Sequence, residues 1–296
     1  MTVGTTPSVE RGRDANVPPL LQIRDATKRY GGVMAVQGIS FDIYPGEILG
    51  LIGPNGAGKT TLINLITGTA KPTHGTITFE GRSIVGRRPY VLGRGGIART
   101  FQIVRPFANL TVRENVAVGA MYGAGGARRS TAEAFRKADE VIDFVHLGAQ
   151  RGASADSLPV AWRKRLEVAK ALAMEPKLLL LDEVMAGLRG TEIDQAMELI
   201  RAISARGITI VIIEHVMKVI VGVCERVVVL DYGKKIAEGT PGEVTSNPAV
   251  IEAYLGKKYA QEHRAGAPPT AAAAIEEEIR AAETEGAGKD EPGRQF

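Results

Sequence analysis

The sequence predicts an α/β fold: a mainly parallel sheet with a lobe of helices inserted between its strands. Three observations predict it. The apolar run Ile48-Leu49-Gly50-Leu51-Ile52 passes through a glycine-rich stretch into Thr61-Leu62-Ile63-Asn64-Leu65-Ile66, in the order strand, loop, helix. Lys177-Leu-Leu-Leu-Leu-Asp-Glu183 carries four consecutive leucines, as expected of a strand buried on both faces of a parallel sheet. From 105 to 176 the pattern changes from short strands to helical spacing.

Taken in order, Leu20 to Arg24 reads as a strand and Ile39 to Ile43 as a second, closed by the turn Pro45-Gly46. After the glycine loop and its helix, Gly68 and Pro72 interrupt, and Thr76 to Phe79 alternates like a strand before Glu80-Gly81. Gly96 to Gln102 gives another short strand. Val112 to Ala120, Thr131 to Leu147 and Trp162 to Ala173 have helical spacing; in the last, Leu166, Ala169, Leu172 and Ala173 share a face, with Arg163, Lys164 and Arg165 leading it on the outside. Glu192 to Arg206 is helical, Ile208 to Ile213 is a buried strand, and His215 begins a further helix to Val223. Arg226 to Asp231 and Lys234 to Glu238 read as a strand pair joined at Tyr232-Gly233. After Gly256 the composition shifts to Ala, Glu, Gly and Pro, which predicts a mostly disordered tail.

At 296 residues and 44% hydrophobic, the chain can bury a large core. No apolar run approaches the ~18–20 residues that cross a bilayer. Residues 1–18 are polar and read as a disordered leader without the apolar centre of a secretory signal. The single cysteine, Cys224, excludes an internal disulfide framework and suits a reducing compartment. A formal charge of +4, spread along the chain, gives no reason to infer nucleic acid.

Gly53-Pro-Asn55-Gly56-Ala-Gly58-Lys59-Thr60-Thr61 fits the pattern G-x-x-x-x-G-K-[ST]. The alternative, an ordinary glycine-rich turn, does not account for a strand before it and a helix after it. The glycines let backbone N–H groups curl around a polyphosphate, and the helix N-terminus adds a favourable field. Lys59 would reach the β- and γ-phosphates, and the Thr60 hydroxyl would sit on Mg2+. Asp182, at the carboxyl end of the leucine strand, suits the Mg2+ shell. Glu183 would point elsewhere and polarise an attacking water. His215 could reach the γ-phosphate or that water, and Gln102 could sense Mg2+ or the water where the helical lobe begins. Singly, an Asp-Glu pair is more often a helix cap, and a lone His or Gln is usually structural. Together, each on a strand's carboxyl edge, they outweigh those readings.

Over roughly residues 20–256 the chain resembles the ATP-binding subunits of ABC transporters. Gly53 to Thr61 matches the Walker A loop, Gln102 the Q-loop glutamine, Leu178 to Asp182 Walker B, Glu183 the catalytic glutamate and His215 the switch histidine; Tyr30 sits where the family stacks an aromatic on adenine. Gly50 to Leu62, Gly96 to Gln102, Asn109 to Asn115 and Val250 to Gly256 resemble the branched-chain amino acid importer subgroup. The resemblance implies a P-loop NTPase (RecA-like) core with a mainly parallel sheet, an N-terminal antiparallel β subdomain and an inserted helical subdomain, the ABC ATPase fold. The implied organisation is a leader at 1–18, core at 19–104 and 177–256, a helical subdomain at 105–176 and a tail at 257–296. It also implies ATP and Mg2+, a second ATPase subunit, two transmembrane permease subunits, indirectly a periplasmic solute-binding protein, and a place on the cytoplasmic face of the inner membrane. A soluble or regulatory ABC-type protein with low turnover is the alternative.

The chain departs from that family where Leu-Ser-x-Gly-Gln is expected: here stands Leu158-Pro159-Val160-Ala161-Trp162. Pro159 has neither hydroxyl nor N–H to offer a phosphate, although proline suits a helix's first turn. Ala161 adds a methyl where close backbone approach is wanted. Arg163, Lys164 or a displaced Ser157 could compensate. Val184 replaces the usual proline, and Arg189 stands where the family has Asp or Asn. These changes read either as drift within a subgroup or as the mark of an asymmetric heterodimer, which is favoured over a homodimer.

Overall fold

The computed structural model describes residues 17–100, 106–124 and 129–262, with side chains to 255. Its strands are β1 Leu21–Tyr30, β2 Val33–Ile43, β3 Ile48–Ile52, β4 His74–Phe79, β5 Arg82–Ser83, β6 Ile97–Arg99, β7 Leu178–Asp182, β8 Thr209–Ile213, β9 Arg226–Asp231 and β10 Lys234–Gly239. The helices are α1 Lys59–Ile66, α2 Pro89–Arg94, α3 Val112–Tyr122, α4 Thr131–Phe144, α5 Val160–Ala173, α6 Thr191–Ser204, α7 Met217–Val223, α8 Pro241–Thr245 and α9 Pro248–Glu262.

Two sheets divide the strands. A six-stranded sheet has the order β10-β9-β3-β8-β7-β6, parallel except where β10 returns antiparallel to β9. An antiparallel sheet has the order β2-β1-β4-β5. Together they bear out the α/β class with its N-terminal antiparallel sheet. In β7 the four leucines alternate between two cores. Leu178 and Leu180 join the core shared with α1 and the antiparallel sheet, while Leu179 and Leu181 join the core shared with the helices. All four are fully buried, each contributing about 2 kcal/mol of gross burial energy. In β8, Ile210 and Ile212 face one core and Val211 and Ile213 the other. This two-sided burial holds the carboxyl ends of β7 and β8 side by side, with Asp182 in register against Ile213.

The helical lobe is α3, α4 and α5, and its buried faces merge with the core on one side of the six-stranded sheet. Capping boxes start two of its helices: Thr111 with Glu114 on α3, and Ser130 with Glu133 on α4. Elsewhere, buried Arg226 of β9 pairs with Glu47 at 2.7 Å and with Glu238 of β10, joining three segments.

Several elements differ from expectation. β1 and β2 are twice the predicted length, because register shifts along their pairing break the alternation that marks a strand. α7 starts at Met217, so His215 lies in the bend before it and not at its start. The short helices α2 and α8 were not foreseen, and α9 continues to Glu262, beyond the composition break at Gly256. Lys164 is not on the outer face of α5: it is half-buried and turned towards the loop after β7. The leader up to 16 and the tail from 263 lie outside the described residues.

Candidate functional site

The glycine loop leaves β3 at Gly53 and enters α1 at Lys59. Gly53 has φ +150°, and a Cβ there would lie 2.1 Å from the Leu230 carbonyl oxygen of β9. Gly58 has φ +102°, and its Cβ would lie 2.5 Å from Ala35 O of β2. Both positions therefore exclude any side chain. Gly58 is also the N-cap of α1, and no side chain caps that helix, so its first-turn N–H groups are left for an anion.

A cleft of about 640 Å3 opens over this loop. Asn55, Gly56, Gly58, Lys59, Thr60 and Thr61 line it, together with Glu183. Buried Lys59 donates from Nζ to Gly53 O at 2.6 Å and to Pro54 O at 3.0 Å. Burial lowers its pKa, while the carboxylates of Glu183 and Asp182 pull the other way. Tyr30 stands apart from this lining: it ends β1, half exposed, with the Lys28 ammonium 4.7 Å from its ring centre. The apolar rim of the cleft comes instead from Val33, Met34 and Tyr232, which sequence reasoning did not single out. Tyr232 lies in a left-handed turn at φ +42°. Gln37 Nε2 donates to its carbonyl at 3.0 Å, and the next N–H, of Gly233, donates to Ala57 O at 3.0 Å. The β9–β10 turn is thus pinned to the glycine loop.

Of the two carboxylates at the end of β7, Glu183 lines the cleft and Asp182 lies just before it. Asp182 is 4% exposed, and Arg99 of β6 places Nη2 2.6 Å from its Oδ2 while Nη1 donates to Asn64 Oδ1 at 2.8 Å. Arg99 was missed by the sequence reading; its only signal was a basic residue on a short strand beside β7. Glu183 follows in the left-handed region, φ +50°, a conformation that costs a non-glycine residue about 1 kcal/mol or more. Its N–H donates to Ile213 O at 2.9 Å, and its Oε1 lies 3.0 Å from His215 Nε2. The structure therefore brings Lys59, Glu183 and His215 to one place, with Asp182 beside them. Gln102 lies outside the described residues.

No group of three or more His, Cys, Asp or Glu is gathered to hold a metal among the described residues. The donors present are oxygens, the Thr60 hydroxyl and the Asp182 carboxylate. That set fits a hard cation such as Mg2+, which takes its remaining ligands from phosphate and water.

The degenerate stretch forms a regular helix start all the same. Pro159 is the N-cap of α5, with extended backbone and no side-chain cap. The three groups that could have compensated are engaged backwards within this chain. Arg163 Nε donates to Leu158 O at 2.6 Å, Lys164 Nζ to Glu183 O at 3.0 Å, and Ser157 Oγ to Ser154 O at 2.8 Å.

Residues 36–186 match the family model described as ABC transporter, and residues 234–260 match that of the branched-chain amino acid ATP-binding cassette transporter. The high-affinity branched-chain amino acid transport ATP-binding protein LivG of Escherichia coli K12 is 38% identical over 251 residues, covering 81% of this chain and 98% of the relative. Its counterpart BraF of Pseudomonas aeruginosa is 36% identical over the same length and coverage. Among solved structures, the ADP conformation of an ATP-binding cassette of an ABC transporter superposes with a TM-score of 0.74 at 30% identity, covering 81% of this chain and 100% of that one.

Proposed function

Because the chain belongs to the ABC transporter family of ATP-binding cassettes, we propose that it powers uptake of branched-chain or related amino acids as the ATP-hydrolysing subunit of an importer. The substrate class rests on the two relatives, both named for branched-chain amino acid transport, and on the match at 234–260. The observation that carries the chemistry is the 3.0 Å contact between Glu183 and His215 at the edge of a cleft lined by Lys59 and the glycine loop.

The N–H groups of the loop and the Lys59 ammonium take up the negative charge of the phosphates. The water oxygen attacks the γ-phosphorus, the bond from that phosphorus to the β,γ-bridging oxygen breaks, and ADP and phosphate result. Glu183 accepts the water's proton, and His215 fixes the direction of the carboxylate. Thr60 and Asp182 would hold Mg2+, which when bound neutralises charge on the phosphate oxygens. Gln102 is the proposed sensor of that site towards the permease. The rim of Val33, Met34 and Tyr232 supplies an apolar seat for the base, with Tyr30 at the neighbouring strand end.

The proposed assembly is this chain, a second ATPase subunit and two permease subunits, served by a periplasmic binding protein, with this chain on the cytoplasmic face of the inner membrane. No helix among the described residues is long and apolar enough to cross a membrane, which accords with a peripheral subunit. The partner ATPase is a different chain. With Pro159 at the start of α5 and its neighbours turned inward, the site that this helix completes would hydrolyse slowly, and the site built on Lys59 and Glu183 would carry turnover. In the reconstituted transporter, Glu183→Gln should abolish hydrolysis, while the equivalent change in the partner should be mild. Equal loss from both changes would refute the asymmetry, and retained turnover in Glu183→Gln would refute the role of Glu183.

A further inference from the structure

Glu214 has no part in the hydrolysis just described, yet it sits between β8 and His215 and is 2% exposed. Its Oε1 accepts the backbone N–H of Met185 at 2.7 Å. Met185 lies two residues beyond Glu183, whose left-handed backbone persists only if its surroundings hold it. Besides the Ala186 N–H, which donates to the Glu183 carbonyl at 3.3 Å within the loop, three contacts from neighbouring elements do so. Ile213 O accepts the Glu183 N–H at 2.9 Å, Lys164 Nζ donates to the Glu183 carbonyl at 3.0 Å, and Glu214 holds Met185. Two of these come from the end of β8 and one from α5. His215, the residue after Glu214, is the imidazole 3.0 Å from the Glu183 carboxylate. One buried side chain thus fastens the loop carrying Glu183 to the loop carrying His215.

We propose that Glu214 and Lys164 are positioning residues that clamp the 183–185 backbone, so that the Glu183 carboxylate and the His215 imidazole are presented as one unit. The proposal rests on the hydrolysis reading above and adds to it a connection from α5 to the carboxylate. Burial raises the Glu214 carboxyl to about 8, against the pull of the Met185 N–H and the Lys164 charge. The carboxyl accepts the backbone N–H groups of Met185 and His215, and glutamine keeps a side-chain oxygen for the Met185 N–H.

The test uses the full chain with its partner subunits and two readouts, hydrogen–deuterium exchange of the 183–188 segment and steady-state ATP hydrolysis. Glu214→Ala should speed exchange in that segment and lower kcat about 10- to 100-fold, with KM for ATP within about twofold because the glycine loop is untouched. Glu214→Gln should restore both. Lys164→Met, which changes a half-buried side chain and leaves the core intact, should loosen the same segment and lower kcat without moving KM, so the proposal stays testable if Glu214→Ala fails to fold. Unchanged exchange in Lys164→Met and Glu214→Ala would overturn the proposal, as would Glu214→Gln losing as much as Glu214→Ala. Glu183→Gln in parallel tests the hydrolysis reading alone, whereas exchange at 183–188 tests the clamp alone.

Discussion

Replacing Arg99 by methionine should destabilise the chain far more than a surface ion-pair deletion. The Arg99 and Asp182 side chains are 12% and 5% exposed, and Nη2 lies 2.6 Å from Oδ2. At an effective dielectric near 20, two unit charges about 4 Å apart attract by about 4 kcal/mol. Methionine fills much of the arginine stem's volume but leaves the Asp182 carboxylate buried beside no guanidinium. Breaking a buried pair in this way costs about 3–5 kcal/mol, most of it from the charge left behind. Lys177 with Glu80 makes the control, because those side chains are 54% and 43% exposed. Lys177→Met should cost less than about 1 kcal/mol. Urea denaturation followed by circular dichroism measures both. Adding Asp182→Asn to Arg99→Met removes the stranded charge and should recover at least about half of the loss. An Arg99→Met chain within about 1 kcal/mol of the parent would refute the reasoning, and so would a double variant no better than the single one.

Lys59→Ala removes the ammonium proposed to meet the phosphates. It should weaken ATP binding about tenfold or more and abolish turnover, with the loss of affinity read by titration with a fluorescent ATP analogue. The raised Glu214 carboxyl, about 8 against an ordinary 4.5, makes a pH prediction. The native chain keeps a proton that the unfolded chain releases, so stability falls as pH rises from about 4.5 to about 8, by up to on the order of 5 kcal/mol. Glu214→Gln should lack that part of the slope, so the gap between variant and parent in urea midpoint should widen in the variant's favour between about pH 5 and pH 8.5. Thr111→Val dismantles the capping box in which Thr111 Oγ1 accepts the Glu114 N–H at 3.2 Å; thermal unfolding should register a loss of about 1 kcal/mol.

What could be read from the sequence follows from how far each signal reaches along the chain. The strands β3, β7 and β8 are short apolar runs whose every residue is buried, so composition alone marks them. The glycine loop was legible because its glycines answer to backbone geometry, not to distant partners. Glu183 and His215 were legible as strand-end residues, but their 3.0 Å meeting depends on β7 and β8 being neighbours, which no local pattern states. Arg99, Tyr232 and Glu214 escaped because their partners lie 83, 195 and 29 residues away. The capping box at Thr111 is a different case: its Thr-x-x-Glu spacing is visible in the sequence and was overlooked.

The helix start at Pro159 shows why a broken motif need not mean a broken fold. α5 is fixed by its apolar face, where Leu166, Ala169 and Ala173 are fully buried against the lobe, and that face is indifferent to the residues at its tip. The tip can therefore lose a hydroxyl and a close-approach glycine without disturbing the lobe. Compensation by a neighbouring cation would require Arg163 or Lys164 to extend beyond the helix end, and both are turned back onto carbonyl oxygens of their own chain. In Lys164 that inward turn has a use, because it holds the Glu183 backbone. The substitutions at the tip thus leave this chain's own carboxylate well supported, which is what the proposed asymmetric pair, with turnover carried by the site on Lys59 and Glu183, requires.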